Sequence, residues 1–126
     1  MPYGDIGGAI TEVVLTCQTP AAGDVNIAKG DAVKLTGNYL VSNDTDDEDA
    51  VFGQAMAASA ENSASIPVKV RGVCVFDYAG SAPTVDGEAG VAASATNGQV
   101  KAPASGNGRG INVKVDTVNT KVHVLL

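Results

Sequence analysis

Apolar and polar residues alternate with period two along most of this chain. That period selects extended strands, whose successive side chains point to opposite faces. In TEVVLTCQ (11–18), Val13, Leu15 and Cys17 fall on one face and Glu12, Thr16 and Gln18 mostly on the other, which predicts a half-buried strand with the Cys17 thiol turned inward. In DAVKLTGNYLVS (31–42), two β-prone runs flank Gly37-Asn38, a pair suited to the positive φ values of a tight hairpin turn. Val33 and Leu35 lead into that turn, and Tyr39 to Val41 lead out.

The longest alternating run is SIPVKVRGVCVFDY (65–78). Ile66, Val68, Val70, Gly72, Cys74 and Phe76 share one face, opposite Pro67, Lys69, Arg71, Val73, Val75 and Asp77. Its second half is apolar on both faces, so either another part of the domain covers the second face or Val73 and Val75 face a neighbouring subunit. GVAASATNGQVKA (90–102) carries Asn97-Gly98, a strong hairpin signal. INVKVD (111–116) and NTKVHVLL (119–126) alternate again, with Ile111, Val113 and Val115 on one side of the first and Val122, Val124 and Leu126 on one side of the second; they are expected to pair through a short link at 117–119. GQAMAASAENSAS (53–65) holds the chain's helix formers but lacks capping residues and a 3.6-residue apolar stripe, so it reads as the end of a strand plus a turn. GDAVKLTGNYLV (30–41) and GEAGVAASATNGQV (87–100) echo each other as two similar hairpins.

Composition sharpens this picture. With 15 Gly, no Trp and 4% aromatic residues, the core must be built from small and β-branched side chains, which favours strands over helices. At 126 residues, one domain with a single core is expected. The predicted fold is all-β, a small single-domain β-barrel or β-sandwich of hairpins over residues 11–126, preceded by a flexible arm at residues 1–10. MPYGDIGGAI lacks the basic and apolar regions of a signal peptide, and no segment approaches the ~18 apolar residues of a spanning helix, so a soluble, cytoplasmically made protein with no membrane contact is expected. The net charge is −6 and the eight basic residues are scattered, which leaves no source for counterion-release binding to nucleic acid.

Candidate chemistry is sparse. The lone His123 lies on the outward face of the last strand without a sequence-local partner to orient it as a base. One His and two distant Cys cannot complete a zinc site, and Cys17 and Cys74 read as buried free thiols rather than a disulfide. GNGRG (106–110) precedes a strand rather than a helix, so it reads as a loop and not a phosphate cradle. No catalytic residue, metal site or cofactor is assigned. The most distinctive feature is NDTDDEDAVFG (43–53), which sets Asp44, Asp46, Asp47, Glu48 and Asp49 into six consecutive positions. Neighbouring unit charges ~4 Å apart repel by ~1 kcal/mol even in bulk water, so such a run must be solvated, screened or matched by cations. Counted from Asp44, the sixth position is Asp49 and the twelfth is Ala55, which fails the Gly and Glu demands of an EF-hand. A solvated loop is favoured, ahead of a docking surface for a basic partner and an irregular Ca²⁺ or Mg²⁺ site.

The order GDAV, VFGQAMA, a short Ala/Glu/Ser turn, IPVKVRGVCVF, PTVDGEAGVAAS…NGQV and a terminal valine-rich hairpin resembles the capsid cement, or head decoration, proteins of tailed bacteriophages over roughly residues 23–126. The resemblance implies a non-enzymatic virion protein on the capsid exterior that binds the major capsid protein, often as a homotrimer, and bridges capsomers against internal DNA pressure. It also implies docking through termini and loops, for which Tyr3, Ile6 and Ile10 are capsid-contact candidates; Val73 and Val75, from the two-sided apolar strand, are the subunit-interface candidates. Two other classes compete. A carbohydrate- or ligand-binding β-sandwich would need aromatic platforms that three Tyr and two Phe supply thinly. A metal-assisted hydrolase using the acidic run would need a positioned base and oxyanion donor.

Overall fold

A computed structural model describes residues 12–85, 91–104 and 108–126. The expected arm at 1–10, with Tyr3, Ile6 and Ile10, lies outside the described residues, as do parts of the GNGRG loop and of the second echoed hairpin. The described chain is all-β: β1 (Val13–Gln18), β2 (Ala32–Gly37), β3 (Leu40–Ser42), β4 (Gly53–Ala55), β5 (Ser65–Arg71), β6 (Val73–Asp77), β7 (Ala92–Ala93), β8 (Val100–Lys101), β9 (Ile111–Asp116) and β10 (Lys121–Leu125). The first five strands close a barrel in the order β1-β3-β2-β4-β5, sealed by antiparallel pairing of β1 with β5. A three-stranded antiparallel sheet, β6-β10-β9, and the β7-β8 hairpin complete the fold.

The alternating patterns explain these assignments. Cys17, Val33, Val41, Ala55, Ile66, Val68 and Val70 project from their strands into one buried cluster with Ile27. A five-stranded barrel has so narrow a lumen that small β-branched side chains fill it. Apolar residues on the far side of the barrel wall form a second cluster: Ala32 and Val51 pack there with Cys74, Phe76 and Tyr78, Val91, Ala93 and Val100 from the hairpin region, and Val122 and Val124 from β10. The single core expected from chain length is therefore two clusters back to back across β2, whose adjacent Ala32 and Val33 each serve one of them.

The long run at 65–78 keeps its predicted inner face but changes sheets midway. Gly72 adopts φ 115, a backbone conformation that a Cβ disfavours. At that corner the strand leaves the barrel as β5 and enters the outer sheet as β6. Arg109 and Gln54 fasten the two layers. The Arg109 guanidinium donates to the carbonyls of Val51 (3.1 Å), Phe52 and Val70 (2.6 Å), and Gln54 Nε2 donates to Val75 O at 2.7 Å and Gly30 O at 3.2 Å.

Three local expectations need correction. The first hairpin turns at Asn38-Tyr39 rather than Gly37-Asn38: a register shift between Leu35 and Gly37 moves the positive φ (55°) to Tyr39. In β9 the alternation breaks at a bulge opposite His123/Val124, so Ile111 and Val113 face outward while Asn112 is buried and Val115 packs against the second cluster. The bulge inserts one residue and flips the faces beyond it. In β1 a similar shift between Val13 and Val14 leaves Val13 exposed although Cys17 points inward as expected. Residues 53–65 form β4 followed by turns, as the pattern predicts. They are held off helix by tertiary bonds: an Ile27–Ser59 bridge, Thr19 Oγ1 donating to Glu61 O at 2.6 Å, and Asn62 Nδ2 donating to Pro20 O and Gly23 O.

Candidate docking surface

The outer face of β6-β10-β9 is built by strand parity. Val122 and Val124 point inward, so Lys121, His123 and Leu125 point outward. Their cross-strand partners follow: Leu125 lies between Val73 and Ile111, His123 between Val75 and Lys114, and Lys121 between Asp77 and Asp116. The bulge adds Val113 to the exposed side. One end of the face is thus apolar and the other charged, where Lys121 pairs with Asp77.

Val75 (39%), Leu125 (40%), Ile111 (43%) and Val113 (46%) are substantially exposed, and Val73 is half-buried. The pairing thus gathers four large apolar side chains, sequence-distant from one another, onto one sheet face. Side chains block further pairing at the edge of β6: Val73 O accepts from Lys69 Nζ at 2.9 Å and Val75 O from Gln54 Nε2. The face offers contact through side chains rather than through added strands at that edge. Val73 and Val75, singled out by sequence, lie together here. Leu125 was legible from the parity of β10, whereas the outward turn of Val113 depends on the bulge and left no sequence signal.

A second apolar patch rims the barrel. Leu15, Leu35, Gly37, Asn38, Tyr39 and Phe52 line a concavity of about 380 Å³. Sequence reading missed it because Leu35 shares parity with the buried Val33, yet half of its surface is exposed.

The acidic run is folded onto the protein. Asp49 pairs with Lys34 at 3.0 Å, and Lys101 pairs with Asp47 at 3.0 Å and Glu48 at 3.1 Å. Glu48 also accepts from the Ala104 backbone N–H at 2.6 Å, Glu48 N–H donates to Ala93 O, and Ala93 N–H donates to Asp49 O. Buried Thr45 donates its hydroxyl to Ser94 O at 2.7 Å. The loop thereby clamps the β7-β8 hairpin. The backbone N–H of Asp46 and then the Lys34 ammonium hold the Asp49 carboxyl below its ordinary pKa, and the same ion pair pushes the Lys34 ammonium up. Asp44 and Asp46 are exposed. Among the described residues, no group of three or more His, Cys, Asp or Glu is arranged to hold a metal ion.

The thiols of Cys17 and Cys74 are free, buried and in different clusters, and burial pushes both pKa values up. Desolvation, reinforced by Arg71, lowers the Arg109 pKa. Arg109 is spent on carbonyls that join the layers. His123 is half-buried between Val75 and Lys114. No helix among the described residues is long and apolar enough to cross a membrane. No protein-family model matches the chain, and no curated protein matches it.

Proposed function

We propose that this chain is a structural binding module, a decoration protein of a tailed-phage capsid, whose working surface is the outer face of β6-β10-β9. The observation that carries the reading is the cluster of exposed Val75, Ile111, Val113 and Leu125 on a sheet fastened to the barrel by Arg109 and Gln54. The order of glycines and valines along the chain, which resembles that of capsid cement proteins, supplies the partner: the major capsid protein on the exterior of the assembled head.

In this reading copies meet as a homotrimer on the shell, with Val73 and Val75 at the contact between copies and Tyr3, Ile6 and Ile10 reaching the capsid. A stable contact of this kind buries about 800 Å² per partner, more than the four exposed side chains supply alone, so neighbouring polar surface joins them. Repeated weak contacts around a closed ring and across capsomers reinforce one another through effective concentration. The acidic loop, with Asp47, Glu48 and Asp49 already paired within the chain, serves as a solvated rim rather than a docking patch. The function is mechanical and needs no catalytic residue or cofactor.

The test is DNA release on heating expanded heads of the phage that carries the gene, with and without added protein. Decorated heads should release DNA at a higher temperature. An unchanged release temperature at saturating protein would contradict the reading.

A further inference from the structure

The apolar concavity at the barrel rim continues into a charged one. Of its lining residues, Leu15 and Phe52 pack against the buried barrel cluster, while Leu35 and Tyr39 remain exposed. A neighbouring concavity of about 370 Å³ shares Leu35 and Phe52 with it and adds Lys34, Asp49, Val51 and Arg109. Phe52 joins the two: its side chain belongs to the apolar half, and its carbonyl accepts from the Arg109 guanidinium. The result is one groove with a hydrocarbon half and a charged half.

The charges of that half do not cancel. Asp49 is engaged by Lys34 at 3.0 Å and by the Asp46 N–H at 2.8 Å. Arg109 makes no ion pair: among the described residues every ion pair is formed by a lysine. Its bonds to the carbonyls of Val51, Phe52 and Val70 leave N–H groups of the fork unused and the charge unmatched. Burial and the like charge of Arg71 both push its pKa down, and among the described residues no carboxylate offsets them. A partly buried guanidinium ordinarily faces an anion, and here that anion must come from outside the chain.

We propose that this groove binds an aliphatic carboxylate, with the carboxylate on the unused N–H groups of Arg109 and the hydrocarbon chain running along Phe52 and Leu35 into the concavity at Leu15 and Tyr39. Charge complementarity selects the acid: a guanidinium fork matches the two oxygens of a carboxylate, whereas an amine of the same length meets a like charge. Pockets of this make-up, mostly apolar with one placed charge, recur at the mouths of β-barrels. A peptide fits the apolar half less well. It would bring an amide every ~3.5 Å into a lining whose polar side chains are those of Asn38 and Tyr39, and an amide desolvated without a partner is costly.

Methyl NMR titrations of the full chain with sodium octanoate, octanol, octylamine and acetyl-trileucine bearing a free carboxylate test this. Octanoate should shift the Leu15, Leu35 and Val51 methyl resonances to saturation and leave those of Ile111, Val113 and Leu125 in place. Octanol should bind roughly tenfold more weakly, the loss expected when a charge-assisted bond is missing, and octylamine should not bind. Leu35→Glu sets a negative charge at an exposed position that both concavities share, and should abolish saturation by octanoate while the other resonances report an intact fold. That variant keeps the test independent of Arg109, whose replacement also loosens the joint between the layers. Octanol binding as tightly as octanoate, shifts that never saturate, largest shifts on the outer sheet, full binding by Leu35→Glu, or tighter binding of the peptide than of octanoate would each overturn the proposal. The groove shares no residue with the outer sheet face, so it and the proposed function fail separately.

Discussion

At the scale of single residues, close approach and charge pairing govern what this fold tolerates. Gly53 opens β4 beside its antiparallel neighbour β5: a Cβ added there would meet Lys69 O at 2.5 Å and Val68 Cγ1 at 2.8 Å. The backbone contact cannot rotate away, so Gly53→Ala should destabilise the protein by about 1–3 kcal/mol, read as a lower urea midpoint at unchanged m-value. Asp49 supplies a different kind of dependence. Its carboxyl is held below the ordinary value by the Asp46 N–H and Lys34, so its contribution is present above the unfolded-state pKa of ~4 and is lost as pH falls through the lowered folded value. Asp49→Asn should therefore reduce stability at neutral pH and lessen the loss seen below pH ~4, measured by urea unfolding across that range. Equal acid sensitivity in both proteins would contradict the assignment.

At the scale of elements, the strands were legible and the joints between them were not. Period-two alternation located Cys17, Ile66, Val68, Val70, Cys74 and Phe76 on inner faces because each strand buries one side whatever it packs against. The same rule failed at Val113 and Val13, where one inserted residue reverses the faces. It also could not say that Gly72 moves the chain from one sheet to another, since both halves of the run obey the same parity. The acidic run was the most conspicuous local signal, yet its cations are remote in sequence: Lys101 stands 54 residues from Asp47. No inspection of neighbours could have paired them. Arg109 is a similar case, reaching across 39 residues to Val70 O and 58 to Val51 O. Replacing it by Met keeps the apolar stem but leaves three carbonyls without their donor. Arg109→Met should cost about 3 kcal/mol, and Arg109→Lys should recover little because one ammonium cannot span all three acceptors. Thermal unfolding of the two variants checks this.

At the scale of the whole molecule, a closed barrel leaves few open strand edges, and the outer sheet concentrates its exposed apolar residues at one end. This division of labour is what a rigid module that presents one face requires. The sequence carried the ingredients of that face in Val73 and Val75, but the face exists only because β10 brings Leu125 beside Val73 and β9 brings Ile111 beside Leu125. The most direct measurement is co-sedimentation with expanded heads of the purified protein and of Leu125→Asp, a substitution at an exposed site that places a charge at the centre of the apolar end without disturbing either buried cluster. The account predicts that the unaltered protein pellets with the heads in a saturable manner and that Leu125→Asp remains in the supernatant. Equal binding by the two proteins, or no binding by either, would contradict it.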